Sequence, residues 1–128
     1  MFLDCEFTGL TRDASLISLA LYVDEATFFY AEFNDYDRSK INDWVEENVM
    51  RKLEFNHTNT FIQKNDKVTR IKENSGSIVP ELKQWLSQFD KIEIWGDVPH
   101  YDWVLFCDLF GGALNNRHTF KKHSSVRE

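Results

Sequence analysis

Near its start the chain reads FLDCEF at residues 2–7, LISLALYV at 16–23 and TFFYAEF at 27–33. The first run alternates, with Leu3, Cys5 and Phe7 on one face and two acids on the other, as expected for a β-strand. The second and third runs are almost continuously apolar or aromatic, which is typical of buried strands. Because only short turn-like segments separate them, the three runs predict an antiparallel meander.

The hydrophobic period changes after the third run. Residues 39–53 carry apolar side chains at helical spacing and predict a helix. Residues 54–74 are polar and indicate a long connection with one short strand. After a break at 75–77, Pro80 and Glu81 suit the first turn of a second helix. Its predicted buried face is Leu82, Trp85, Leu86 and Phe89.

A strand at 91–96 and an apolar helix at 99–110, ended by Gly111 and Gly112, complete the pattern. Strands of a meander followed by strands linked through helices predict an α/β fold with a mixed sheet and helices on its faces.

Composition excludes several classes of protein. The 128 residues suit one domain, and 42% hydrophobic with 28% charged residues is globular. No apolar run is long enough to span a membrane, and the first residues do not resemble a signal peptide. Two cysteines, Cys5 and Cys107, are too few for a disulfide scaffold or a cysteine-ligated zinc site. We therefore expect a cytoplasmic protein without a membrane segment.

The charge is uneven along the chain. A net charge of −6 argues against a long duplex-binding groove, because such grooves depend on many contacts between basic side chains and phosphates. Residues 115–128 carry four basic groups and one acid, a net +3, and lack hydrophobic periodicity. We expect a domain over residues 1–114 and a disordered or truncated basic tail over 115–128. This tail is either a solvated terminus or an arm that contacts nucleic acid.

Asp4 and Glu6 are the most informative polar residues. Their spacing of two on a strand points both carboxylates to one face, about 6.5–7 Å apart at the backbone. Like charges this close raise each other's pKa and cost stability, and a divalent cation removes that cost. Mg²⁺ and Mn²⁺ prefer carboxylate oxygens. The pair predicts a metal site, although two acids on a fully exposed strand face are harmless without one.

The acids belong to a longer pattern, Asp-x-Glu-x-Thr-Gly-Leu at residues 4–10, and a second acid, Asp102, follows Gly96 and Tyr101 at a strand-to-helix junction. At this point the sequence resembles the DEDD family of 3′–5′ exonucleases, and most closely its small single-domain exoribonuclease branch in bacteria and phages. The resemblance spans residues 1 to about 112. It implies a ribonuclease-H-like mixed sheet flanked by helices, with the C-terminal part incomplete.

The resemblance also implies site residues. Asp4 would bridge two Mg²⁺ or Mn²⁺ ions, Glu6 would hold the ion that activates water, and Asp102 would hold the second. The backbone of Phe7, Thr8 and Gly9 and the side chain of Leu10 would seat the terminal nucleotide. Tyr101 is either a stacking residue at the same place or part of the core, and Asp97 either caps its loop or adds a ligand. The implied substrate is single-stranded RNA or a short 3′ overhang.

The family's third motif, His-x-Ala-x-x-Asp, is missing from the chain. His123 and Glu128 have its spacing, but Ser replaces Ala, Glu replaces Asp, and we interpret the match as a coincidence. The expected function is therefore a metal-dependent 3′–5′ exoribonuclease in a truncated, weakly active form. Two alternatives stay open: an inactive nuclease-fold module that binds or dimerises, and a ribonuclease-H-type endonuclease. A homodimer and a DNA substrate also stay open.

Overall fold

The computed structural model of the chain describes residues 1–9, 15–96, 106, 109 and 120–124, the last five by their backbone. Within residues 1–9 and 15–96 the helices are α1 (Asp43–Asn48) and α2 (Ser75–Leu86), with short 3-10 turns at Arg38–Lys40 and Met50–Lys52. The strands are β1 (Phe2–Phe7), β2 (Leu16–Asp24), β3 (Thr27–Phe33), β4 (Phe61–Lys64), β5 (Val68–Glu73), β6 (Ile92–Gly96) and β7 (Phe120–Ser124).

All seven strands form one mixed sheet in the order β4-β5-β3-β2-β1-β6-β7. β2 is antiparallel to β1 and to β3, so the predicted meander is confirmed. β5 is parallel to β3, while β6 is parallel to β1 and β7 to β6. The carboxyl ends of five strands therefore meet at one edge of the sheet, and only β2 and β4 run the other way among the strands described. The architecture is α/β and consistent with a ribonuclease-H-like nuclease fold.

One face of the sheet carries the main core. Alternate residues of the strands point to this face, because successive side chains of a strand lie on opposite sides. They pack against α2 and against Phe106, which is helical and fully buried. The buried set is Leu3, Cys5, Leu19, Leu21, Phe29, Ala31, Phe33, Ile71, Ile78, Leu82, Trp85, Leu86, Ile92, Ile94 and Phe106.

A second, smaller cluster lies near the carboxyl end of β1. The register between β1 and β2 shifts after Glu6, because Glu6 pairs with Ser18 whereas Phe7 pairs with Leu16. The residue skipped by this bulge, Ile17, is fully buried against Val45 and Val49. The bulge therefore anchors α1 and the turn that follows it beside the acidic end of β1.

Three predictions about the middle of the chain are wrong. The helix expected over 39–53 is broken into α1 and two 3-10 turns, because the Asn42 side chain caps α1 by accepting from the Val45 N–H. The polar segment 54–74 contains two strands, β4 and β5, rather than one. α2 begins at Ser75 rather than at Pro80, because the Asn74 side chain caps it by accepting from the Ser77 N–H.

The C-terminal part of the chain is described only in segments. Residues 120–124, within the basic tail that we expect to be disordered or truncated, form β7 in register with β6. The division into a domain over 1–114 and a tail over 115–128 stays a prediction. The predicted helix at 99–110 lies outside the described residues except for Phe106 and Leu109. In the part of the chain that is described, no helix is long and apolar enough to cross a membrane.

Candidate functional site

Asp4 and Glu6 lie on the face of β1 opposite to the main core. Both side chains are exposed, whereas their neighbours Leu3 and Cys5 are buried. In the sheet, Asp4 stands opposite Ala20 and Glu6 opposite Ser18. Ala20 is partly exposed, whereas Ser18 is buried. The structure therefore places the two acids together on one accessible surface, as their spacing predicts.

The electrostatics of Glu6 reflect this placement. Partial burial raises the pKa of the Glu6 carboxyl above its usual value, and the charge of Asp4 raises that pKa further. Lys52, from the turn after α1, acts in the opposite direction and lowers it. Lys52 offsets only part of the other two effects, so the pKa of Glu6 stays above its usual value.

The loop after β1 is closed by Thr8. Its N–H donates to the Ser15 carbonyl, and its hydroxyl accepts from the Ser15 N–H, both at 3.0 Å. Thr8 is buried, so these two bonds pin the two ends of the loop beside Glu6. At Gly9, apart from the glycine and its chain neighbours, no heavy atom of a described residue lies within 4 Å of the position that a Cβ would occupy. The described part of the loop thus leaves room for a ligand next to the acids.

Several predicted site residues lie outside the described residues, namely Leu10, Asp97, Tyr101, Asp102 and Glu128. Their roles stay predictions. Across residues 1–9 and 15–96, no group of three or more His, Cys, Asp or Glu side chains is arranged to hold a metal ion. The backbone of His123 is placed by β7, where it pairs with Trp95, and Trp95 in turn pairs with Phe2. It therefore lies two strands away from β1.

Glu32 is a polar residue that the sequence interpretation missed. It shares a row with Glu6, because Ser18 of β2 pairs with both. Its carboxylate is fully buried and accepts three hydrogen bonds at one oxygen, Oε2. The donors are the Tyr30 hydroxyl at 2.6 Å, the Glu54 N–H at 2.8 Å and the Phe55 N–H at 3.2 Å. Glu32 therefore ties the chain after Met50–Lys52 to the sheet.

The signal for Glu32 was present in the sequence. An acid inside the aromatic run TFFYAEF is out of place in a buried strand unless hydrogen bonds satisfy it. Lys52 carried no such signal, because its approach to Glu6 depends on where the bulge and Ile17 place the turn after α1.

Comparison with known proteins finds similarity to two proteins with a nuclease name. No family model matches the chain. Over 112 residues the chain is 26% identical to two Mycobacterium tuberculosis proteins named 3′–5′ exoribonuclease, from strains CDC 1551 / Oshkosh and ATCC 25618 / H37Rv. The match covers 86% of this chain and 60% of each relative, so the chain spans about 60% of the length of these curated relatives. It is thus similar, over most of its length, to proteins with a nuclease name.

Proposed function

We propose that this chain is a divalent-metal-dependent 3′–5′ exoribonuclease of the DEDD type. The observation that carries the proposal is the exposed pair Asp4 and Glu6 near the carboxyl end of β1, on the sheet face away from the main core. The similarity to proteins named 3′–5′ exoribonuclease supports it, and so does the α/β fold.

The donor set fits a hard divalent cation. Two carboxylates supply oxygen ligands of the kind that Mg²⁺ and Mn²⁺ prefer. The pKa of Glu6 is raised by burial first and by the charge of Asp4 second, and a bound cation would offset the second effect. Asp4 and Glu6 would hold the ions together with Asp102. When bound, such ions acidify a coordinated water and neutralise charge on phosphate oxygens.

The chain's own residues would position the substrate. Thr8 holds the start of the loop against Ser15, which keeps the Phe7–Gly9 backbone fixed beside the acids. The described residues around Gly9, apart from its chain neighbours, leave space that would admit a nucleotide close to the main chain. With a net charge of −6, general affinity for long duplexes is expected to be poor. A single-stranded 3′ end needs few phosphate contacts and suits this surface better.

Turnover by residues 1–128 is expected to be slow. No His-x-Ala-x-x-Asp motif occurs in them. A general base typically contributes about 10²–10⁴-fold to a hydrolytic rate.

The proposal can be tested with one RNA sequence prepared in linear and in circular form, each incubated with the protein and Mn²⁺. An exonuclease needs an end, so we expect nucleotide release from the linear RNA and none from the circle. Cleavage of the circle would show an endonuclease and overturn the proposal. Binding of the linear RNA without any hydrolysis would indicate an inactive module and overturn it equally.

A further inference from the structure

A cavity lined by described residues lies beside the acidic surface but is not part of it. It is a cleft of about 490 Å³, a volume typical of small-molecule sites. The segment after β3, α1 and residues 50–59 form its walls. We call it the loop cleft.

The loop cleft is basic in an acidic protein. Three cations line it, Arg38, Arg51 and Lys72, against one acid, Glu46, which gives a net +2. Neither arginine forms an ion pair with a described residue. Lys72 donates to the Phe55 carbonyl at 2.8 Å, which leaves two of its three ammonium protons for another acceptor. Concentrated positive charge on a chain of net −6 favours a ligand with phosphate groups.

The cleft also offers a flat stacking surface and amide groups. The Arg38 guanidinium lies 5.4 Å from the centre of the Tyr36 ring, and both residues line the cleft. Unpaired bases stack on aromatic rings and on guanidinium planes. Asn34, Asn56 and Asn59 add amide groups that can hydrogen-bond to bases or ribose hydroxyls. Phosphate-binding cations together with a stacking surface match a nucleotide chain better than an isolated anion.

The position of the cleft connects it to Asp4 and Glu6. β1, β3 and β5 are parallel, so the cleft at the ends of β3 and β5 lies at the same sheet edge as Glu6. β3 is two strands from β1, about 10 Å across the sheet. The turn Met50–Lys52 borders both places, because Met50 and Arg51 line the cleft and Lys52 acts on Glu6.

From this arrangement we propose that the loop cleft binds the upstream nucleotides of a single-stranded RNA whose 3′ end lies at Asp4 and Glu6. This inference rests on the proposed function, because it takes the acidic surface as the place of cleavage. In it, Arg51 and Arg38 contact phosphates and the Tyr36–Arg38 pair stacks a base. Short products that no longer reach the cleft would therefore dissociate more readily than longer RNA.

The test compares binding of a fluorescent single-stranded RNA hexamer to wild type, Arg51→Ala and Lys91→Ala, with EDTA present to prevent metal-dependent cleavage. Lys91 is an exposed control that precedes β6 at the opposite edge of the sheet. We expect Arg51→Ala to weaken binding about two- to fivefold at low salt, as for an exposed ion pair. The slope of log affinity against log salt should fall by about 0.7. Lys91→Ala should change neither, and Arg51→Lys should retain most of the affinity.

A second arm measures a nucleoside 5′-monophosphate in place of the hexamer, and its affinity should be the same for wild type and Arg51→Ala. Equal weakening of both ligands would show a separate mononucleotide site and overturn the inference, as would an unchanged hexamer affinity. The two proposals fail differently. If the protein shortens RNA in the presence of Mn²⁺ but Arg51→Ala does not change RNA binding, the role of the loop cleft is refuted and the proposed function stands. If RNA binding depends on Arg51 but the RNA is never shortened, the proposed function is refuted. The placing of a 3′ end at Asp4 is then refuted with it.

Discussion

Removing the buried carboxylate of Glu32 should destabilise the protein strongly. Glu32→Ala leaves the Glu54 and Phe55 N–H groups and the Tyr30 hydroxyl without their acceptor. Each buried group left unsatisfied costs about 1–3 kcal/mol. The Tyr30 hydroxyl can rotate toward another acceptor, so the two backbone donors dominate. Together with the space left by the side chain, we expect a loss of about 3–5 kcal/mol.

The expected loss is measurable by thermal unfolding followed by circular dichroism. For a chain of this length, 1 kcal/mol corresponds to about 4 °C in Tm, so Glu32→Ala should unfold roughly 12–20 °C earlier. Glu32→Gln keeps one acceptor but turns an amide NH₂ toward backbone donors, and should lose about 1–2 kcal/mol. Glu25→Gln, in the exposed β2–β3 turn, is the matched control and should stay within about 0.5 kcal/mol of wild type.

The phenol of Tyr30 provides an independent measurement. Burial raises the pKa of Tyr30 well above its usual value, and the hydrogen bond and charge of Glu32 raise it further. In Glu32→Gln the pKa of Tyr30 should therefore fall, as seen by phenolate absorbance during alkaline titration. A Glu32→Ala variant as stable as Glu25→Gln, or an unchanged Tyr30 titration in Glu32→Gln, would refute the role assigned to Glu32.

Three further predictions concern the site and its support. Mn²⁺ titrated by calorimetry should bind wild type more tightly than Asp4→Asn, and without metal Asp4→Asn should be at least as stable as wild type, because one of two repelling charges is gone. Equal Mn²⁺ binding by both proteins would show that Asp4 is not a metal ligand and would contradict the proposed metal site. Ile17→Ala should cost about 2–5 kcal/mol in urea unfolding, because Ile17 is fully buried against Val45 and Val49. Trp44→Ala should stay within about 0.5 kcal/mol, since Trp44 is 64% exposed, and a large loss would contradict the broken helix.

The sequence predicted the first three strands almost to the residue. β1 and β3 have the predicted bounds, and β2 extends one residue further than expected. The alternation in β1 and the apolar runs in β2 and β3 directly reflect which residues are buried. These strands can therefore be predicted from a short stretch of sequence. The paired acids were found in the same way, because a period of two decides which face a strand residue occupies.

The middle of the chain could not be predicted in this way. β5 is held in the sheet by parallel pairing with β3, and β4 is held by antiparallel pairing with β5. Because the pairing with β3 joins distant parts of the chain, the largely polar sequences of β4 and β5 do not indicate that they are strands. The prediction of one helix over 39–53 was wrong because α1 starts at the Asn42 cap and buries Val45 and Val49 against Ile17. These contacts outweigh the helical spacing of the apolar residues, which include the exposed Trp44. The same long-range packing brings Lys52 to Glu6, which no local pattern reveals.

The most direct test of the central claim is the Asp4 dependence of RNA shortening from the 3′ end. A 5′-labelled single-stranded RNA is incubated with Mn²⁺ and wild type, Asp4→Asn or Asp66→Asn, and the products are separated by length. Asp66 is an exposed control acid between β4 and β5. We expect wild type and Asp66→Asn to shorten the RNA one nucleotide at a time and Asp4→Asn to leave it intact. Equal shortening by Asp4→Asn would contradict the assignment of the site to Asp4 and Glu6.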